Sequence, residues 1–136
     1  MGEVNNIMKK KIFIVDDEEE MISFLSAFLE DNGFEVSSAF DGDQALKMLE
    51  SEKPDLVTLD IMMPNKSGIK VFKEMRTSDK YKNIPIIVIT GFHRQANPLV
   101  DFKKFIYSRK IKQPEGFIEK PIDKENLLLT INETIK

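Results

Sequence analysis

The feature that most constrains this chain is a regular alternation of short apolar runs with longer segments of helical periodicity. The runs have the length and residue types of β-strands, whereas the segments between them place apolar residues three or four positions apart. Parallel neighbouring strands need crossover connections, and right-handed crossovers put helices on both faces of a sheet. We therefore predict a doubly wound α/β domain with five parallel strands at residues 11–15, 34–40, 56–59, 84–90 and 117–119.

Residues typical of helix ends support the same division of the chain. Gly33, after Asn32, predicts the end of the first helix. Side chains that cap helix N-termini precede the other four predicted helices, at Asp41, Ser67, Asn97 and Asp123. The fourth helix is expected to start at Pro98 and to bury the apolar residues Leu99, Val100, Phe102, Phe105 and Ile106.

Length and composition limit the class of protein. A chain of 136 residues suits one domain, which we place at residues 9–136 behind a polar, aperiodic and flexible extension at residues 1–8. The absence of cysteine excludes disulfides and thiolate metal sites and favours a cytoplasmic location. A net charge of -3 argues against direct nucleic-acid binding, and no apolar run is long enough for membrane insertion.

Four of the five predicted strands end in side chains that are capable of chemistry. These are Asp16 with Asp17, Asp60, Thr90 and Lys120. The carboxyl ends of parallel strands share one edge of the sheet, where ligands bind in folds of this class. Each residue alone has a simpler explanation, because an acid can cap a turn and the acids at residues 18–20 suit a helix start. Their occurrence at four strand ends favours a single site.

The residue types at this edge indicate phosphoryl chemistry. Three carboxylates at close range repel one another unless one holds a proton or a cation lies between them. Oxygen ligands without histidine or thiolate favour Mg²⁺, and His93 is interpreted as a solvated loop residue. Lys120 and Thr90 supply a positive charge and a hydroxyl donor for phosphoryl oxygens, which leaves Asp60 as the nucleophile.

These residues resemble the receiver domain of two-component response regulators. The resemblance covers residues 9–136 and includes the sequence around the acceptor, with Met62, Met63, Pro64 and Gly68, as well as Thr90-Gly91 and Lys120-Pro121. It implies a flavodoxin-like fold with strand order 2-1-3-4-5, which has helices on both faces of the sheet.

The resemblance also implies a role for each site residue. Asp60 would accept a phosphoryl group from a phosphohistidine of a histidine kinase or a histidine phosphotransfer protein. Mg²⁺ would be held by Asp17, Asp60 and the backbone carbonyl of Met62, with Asp16 acting partly through water. The acyl phosphate would contact Thr90 and Lys120, and the aromatic switch would be Phe117. The Lys120-Pro121 peptide is expected to be cis.

The sequence departs from the family pattern before the last strand. Thr90 and Lys120 are 30 residues apart, which is wider than in typical receivers. The usual small-residue turn is replaced by residues 111–116, so the fourth helix and its exit are altered. The surface that contacts a downstream protein therefore cannot be transferred by analogy, and that protein is unknown.

Three functional interpretations are open. The first is a stand-alone receiver in a phosphorelay, not an enzyme beyond self-phosphorylation from a phosphodonor and slow self-dephosphorylation. The second is an Mg²⁺-dependent phosphohydrolase of the haloacid dehalogenase kind, but these enzymes place a second acid two residues after the nucleophile, where this chain has Met62. The third is a receiver-like scaffold that binds partners without phosphorylation.

Two residues predict a long lifetime of the phosphorylated form. Hydrolysis needs a water in line with the phosphorus, and the side chains best placed to orient it lie two residues past Asp60 and two past Thr90. These are Met62 and Phe92, and neither can hydrogen-bond a water strongly. We therefore expect slow decay of the acyl phosphate.

Overall fold

The computed structural model describes residues 9–91 and 98–136 as alternating strands and helices. The predictions for the extension at residues 1–8 and for Phe92, His93 and Asn97 lie outside the described residues. The strands are β1 (Lys11–Val15), β2 (Glu35–Ala39), β3 (Leu56–Asp60), β4 (Ile86–Thr90) and β5 (Gly116–Glu119). The α-helices are α1 (Glu19–Asp31), α2 (Gly42–Glu52), α3 (Ser67–Thr77), α4 (Pro98–Arg109) and α5 (Lys124–Thr134), and a 3₁₀ turn at Pro64–Lys66 precedes α3.

The five strands form one parallel sheet in the order β2-β1-β3-β4-β5, which confirms the predicted order. Strands β3 and β4 are buried along their whole length. They lie in the interior of the sheet with helices on both faces, and this accounts for their nearly uninterrupted apolar sequence.

The sheet separates two hydrophobic layers. One layer packs the buried side chains of α2, α3 and α4 against one face, with Phe72 and Phe102 fully buried. The other packs α1 and α5 against the opposite face through residues such as Leu25 and Leu127. The side chains of successive strand residues alternate between the layers, so each strand contributes to both.

Local hydrogen bonds fix several helix ends. Asp41 Oδ1 accepts from the Gln44 N–H at 2.7 Å, and Gln44 Oε1 accepts from the Phe40 N–H at 2.8 Å. The Asp41 side chain therefore caps α2, which confirms the predicted cap, and the Gln44 side chain holds the residue before the cap. Asp123 Oδ1 likewise accepts from two N–H groups at the start of α5. Gly33 ends α1 with φ of 90°, a conformation that a residue with a side chain rarely adopts.

Two local predictions are wrong. Ser67 is not a cap outside the helix, because its φ of -66° and ψ of -29° are helical and it is the first residue of α3. Val100 is not buried, since its exposed fraction is 43%. It lies two residues before Phe102 and therefore about 200° around α4 from the face that contacts the sheet.

A buried arginine holds the segment between α4 and β5. Arg76 of α3 forms an ion pair with Glu115 at 2.7 Å, and its guanidinium also donates to the carbonyls of Lys112 and Gln113. Its remaining donors contact carbonyls in the segment before β4. Because the Arg76 side chain is only 1% exposed, the altered turn at residues 111–116 is anchored to the rest of the fold.

The peptide bond between Lys120 and Pro121 is cis, as predicted. In the part of the chain that the structure describes, no helix is long and apolar enough to cross a membrane.

Candidate functional site

The register of the sheet brings the predicted polar residues to one edge. Asp60 is the last residue of β3 and Thr90 the last of β4, while Asp16 and Lys120 directly follow β1 and β5. Backbone hydrogen bonds continue past the strand ends, from the Lys120 N–H to the Thr90 carbonyl at 2.8 Å and from the Asp16 N–H to the Ala39 carbonyl at 3.1 Å. These bonds fix where the side chains leave the backbone.

The Lys120 ammonium group contacts three acidic side chains of the site. Its Nζ lies 2.9 Å from Glu18 Oε1, 3.4 Å from Asp16 Oδ2 and 3.5 Å from Asp60 Oδ2. Burial alone would lower the pKa of Lys120, but the hydrogen bond to Glu18 and the charges of Asp60 and Asp16 outweigh it and raise the pKa above its ordinary value. Lys120 therefore carries a positive charge at the centre of this edge.

Asp60 is oriented by its own loop. Its Oδ1 accepts a hydrogen bond from the Met62 N–H at 2.7 Å, and its Oδ2 faces Lys120. The side chain is only 2% exposed, and this burial is the main reason that its pKa is raised, although the Met62 N–H and Lys120 oppose the shift and Asp17 adds to it. The carboxylate thus has one anchored oxygen and one that faces a cation.

A close helix contact holds the loop after β3. Gly68, in the first turn of α3, lies so near the end of β3 that a Cβ on it would collide with the Asp60 carbonyl and lie 2.8 Å from the Ile61 Cα. Only glycine permits this approach without displacing the backbone that carries Asp60.

The acidic residues are close enough to share a cation. Oxygen atoms of Asp16, Asp17, Glu18 and Asp60 all lie within 4.8 Å of one another. Burial, together with the nearby charge of Asp60, raises the pKa of Asp16 to about 6, although the Glu18 N–H and Lys120 oppose the shift. Carboxylates that resist ionisation in this way gain from a cation, and a set of oxygen ligands suits Mg²⁺. The residues present fit the predicted ion.

The other predicted site residues lie around this cluster. Thr90 is buried, and its hydroxyl donates a hydrogen bond to the Gly91 carbonyl at 3.3 Å. This bond is long, so the hydroxyl can turn to a stronger acceptor. Phe117 is half-buried, with its ring centroid 6.3 Å from that of Phe102 and Lys103 Nζ 5.1 Å above it. The Met62 side chain is half-buried beside the acceptor.

An open cleft adjoins the cluster on the side of Asp17. Its volume is about 460 Å³, and it runs between the loops after β2 and β3, past Phe40 and Lys70. Phe40 is 58% exposed although it is aromatic. The acidic cluster is therefore open to solvent at Asp17.

Sequence reasoning missed Glu18. The sequence indicates only that it belongs to the charged start of α1, where it is the residue before the first helical turn, yet it makes the shortest of the three contacts to Lys120. The two residues are 102 positions apart, and no strand pairing places β5 beside β1. No local signal in the sequence indicates a contact made by a long lysine side chain that reaches past two strands.

The fold and the site together define a class of protein: a parallel α/β domain with a buried aspartate, an acidic cluster and a lysine at the carboxyl edge of the sheet. The model of the response regulator receiver domain family matches residues 12–132, so the chain belongs to this family.

Individual relatives agree with this assignment. The chain is 46% identical over 84 residues to the alkaline phosphatase synthesis transcriptional regulatory protein PhoP of Bacillus subtilis, a match covering 62% of this chain and 34% of PhoP. It is 37% identical over 121 residues to the CAI-1 autoinducer sensor kinase/phosphatase CqsS of Vibrio cholerae, covering 88% of this chain and 16% of CqsS. The chain thus spans at most about a third of these two relatives.

Solved structures match over nearly the whole chain. The chemotaxis response regulator CheY4 of Vibrio cholerae superimposes with a TM-score of 0.76 at 27% identity, and the match covers 93% of this chain and 98% of CheY4. The fold is therefore that of the flavodoxin-like receivers.

Proposed function

We propose that this chain is a phosphorylation switch of two-component signalling. Asp60 accepts a phosphoryl group from a histidine kinase or a histidine phosphotransfer protein, and the phosphorylated chain presents a changed protein-binding surface. The observation that carries the proposal is the buried Asp60 carboxylate, which has one oxygen on the Met62 N–H and the other 3.5 Å from Lys120. Membership of the receiver family supports it.

The proposed step is a phosphoryl transfer. An Asp60 carboxylate oxygen attacks the phosphorus of a phosphohistidine, and the new O–P bond forms as the P–N bond breaks. The imidazole nitrogen leaves with the electron pair of the broken bond. Lys120 and Thr90 donate hydrogen bonds to the equatorial phosphoryl oxygens, where charge accumulates.

The proposed cation ligands are the carboxylates of Asp17 and Asp60 and the backbone carbonyl of Met62, with Asp16 acting partly through water. Bound there, Mg²⁺ supplies positive charge next to the phosphoryl oxygens. The carboxylates of Asp16 and Asp60 also fix the adjacent loops, because each accepts a hydrogen bond from one backbone N–H of the loop that follows its strand.

The chain acts on its own aspartate and, in this proposal, is not an enzyme toward other substrates. Decay of the acyl phosphate is slow, because the thioether of Met62 cannot orient a water. Phe92, the second residue proposed to slow the decay, lies outside the described part of the chain. The proposed location is the cytoplasm, and the downstream target is a protein.

The decisive experiment is labelling with a small phosphodonor. The protein is incubated with acetyl phosphate and Mg²⁺ and its intact mass is measured. The wild type should gain one phosphoryl group, and Asp60→Asn should gain none, because an amide is a poor nucleophile. Asp31→Asn, which removes an exposed carboxylate from the end of α1, is the matched control and should label like the wild type.

Equal labelling of the wild type and Asp60→Asn would place the acceptor elsewhere. A wild type that takes up no phosphoryl group from acetyl phosphate or from a phosphorylated histidine donor would instead indicate a scaffold that binds partners without phosphorylation.

A further inference from the structure

Lys120 has no donor to spare in the structure. An ammonium group has three N–H donors, and Lys120 Nζ already faces three carboxylates, those of Glu18, Asp16 and Asp60. Phosphorylation turns the Asp60 carboxylate into an acyl phosphate and so frees the donor that faced it, but Lys120 Nζ lies 3.5 Å from Asp60 Oδ2 and must move closer to donate strongly to the phosphoryl oxygens. Its contact with Glu18 or with Asp16 must then lengthen. This reasoning rests on the function proposed above.

Burial decides which contact yields. The Asp16 side chain is 2% exposed, so its carboxylate would remain buried without a cation if that contact were lost. The Glu18 side chain is 61% exposed and can turn into water at little cost. Asp16 is also held by a second bond, from the Glu18 N–H to its Oδ1 at 2.9 Å.

We propose that Glu18 is a positioning residue that holds the Lys120 ammonium away from the incoming phosphoryl group and releases it when Asp60 is phosphorylated. Its contact is the shortest of the three at 2.9 Å, so in the unphosphorylated protein Lys120 is drawn toward Glu18 and the Asp60 contact is stretched to 3.5 Å. Glu18 thus slows phosphorylation, because its contact must break before Lys120 can donate to the phosphoryl oxygens.

Three single substitutions separate the effect of the contact between Glu18 and Lys120 from the effect of the negative charge. Glu18→Gln removes the charge and weakens the contact. Glu18→Asp keeps the charge but shortens the side chain by one methylene, so that its carboxylate no longer reaches Lys120. Glu19→Gln removes the same charge from the adjacent exposed position in the first turn of α1 and is the matched control.

The rate of phosphoryl gain from acetyl phosphate at saturating Mg²⁺ is the first measurement. Glu18→Gln and Glu18→Asp should both label about threefold faster than the wild type, the effect of losing one ion pair that has an exposed partner. Glu19→Gln should label at the wild-type rate. Equal rates in all four proteins would overturn the proposal.

Two measurements do not depend on phosphorylation. Proton exchange of the Lys120 ammonium, followed by NMR without phosphodonor, should be faster in both Glu18 variants than in the wild type and in Glu19→Gln. Calorimetric titration should show that Glu18→Asp binds Mg²⁺ as the wild type does. A strong loss of Mg²⁺ affinity in both Glu18 variants, with slower labelling, would make Glu18 a cation ligand and overturn the proposal.

The two proposals fail in different ways. If none of the proteins gains a phosphoryl group but proton exchange of the Lys120 ammonium still depends on Glu18, the contact exists but the acceptor function is wrong. The role inferred for Glu18 is then wrong as well. If all proteins label at one rate, the acceptor function stands and only the role of Glu18 is wrong.

Discussion

Asp16 shows how burial sets the charge of a single residue at this edge. Its side chain is 2% exposed, and its pKa is raised from an ordinary value near 3.8 to about 6, mainly by burial and in part by the charge of Asp60. A carboxyl group whose pKa is higher in the folded than in the unfolded protein binds its proton more tightly when folded. It stabilises the fold at low pH, and this contribution is lost as the pH rises from about 4 to about 6.

The first prediction follows from the raised pKa of Asp16. We compare the free energy of unfolding of the wild type with that of Asp16→Asn, whose amide does not titrate, in the absence of Mg²⁺. The wild type should lose about 2 kcal/mol relative to the variant as the pH rises from about 4 to about 7. Denaturant unfolding in EDTA at several pH values measures the difference. A difference of wild type minus Asp16→Asn that rises with pH would contradict the prediction.

At the scale of elements, α3 fixes the segment that joins α4 to β5. The Arg76 guanidinium contacts Glu115 and four backbone carbonyls, and its carbon Cζ also lies 5.2 Å from the centroid of the Phe72 ring. Glu115 Oε1 accepts a second bond, from the Ile86 N–H at 2.7 Å. Burial favours protonation of Glu115, but the Ile86 N–H and Arg76 outweigh it and lower its pKa. The pair is therefore charged and fully hydrogen-bonded.

Removal of either partner should destabilise the fold by different amounts. Arg76→Met leaves a carboxylate and several carbonyls without their donor and should cost about 3 kcal/mol. Glu115→Gln keeps an acceptor for the Ile86 N–H and should cost about 1 kcal/mol. Chemical denaturation measures both, and the double variant should cost less than the sum because the partners interact.

Lys80→Met is the control for this pair. Lys80 forms an ion pair with Glu50 in which both side chains are more than half exposed, so its loss should leave the unfolding midpoint unchanged. If Arg76→Met were equally harmless, the pair of Arg76 and Glu115 would not anchor the segment.

At the scale of the whole molecule, the parallel sheet, the caps at Asp41 and Asp123 and the edge that carries the site were predictable from local signals in the sequence, whereas the strand order was implied by the resemblance to receiver domains. Asp41 caps α2 through a bond from the N–H of Gln44, only three residues on, and Asp60 directly follows an apolar run. The structure adds the contacts between residues that are far apart in the sequence. The contacts of Glu18 with Lys120 and of Arg76 with Glu115 join residues 102 and 39 positions apart, and nothing local indicates them.

The helix α4 shows a second limit of local patterns. Its apolar residues are too many for one face, so periodicity alone did not separate Val100, which is exposed, from Phe102 and Ile106, which are buried. The packing of Phe102 between Phe72 and Phe117 decides the orientation of the helix, and both partners lie in other elements.

The last prediction concerns the response of the whole domain. A phosphoryl group on Asp60 should draw the Thr90 hydroxyl from the Gly91 carbonyl and bias Phe117 further inward, so that Phe102 and α4 repack. Amide NMR spectra with Mg²⁺, recorded with and without beryllofluoride as phosphoryl mimic, should therefore change in β5 and α4 as well as near Asp60. Asp60→Asn should show no such change. Unchanged signals in β5 and α4 of the wild type would contradict this switch.

The division of the core by the sheet has a consequence for how such a protein can diverge. The side chains of α2, α3 and α4 pack in one layer, whereas those of α1 and α5 pack in the other. Buried substitutions in different layers touch no common side chain, so their effects on stability should add. Over evolutionary time the surface on one side can therefore be remodelled for a new binding specificity while the opposite surface keeps its own.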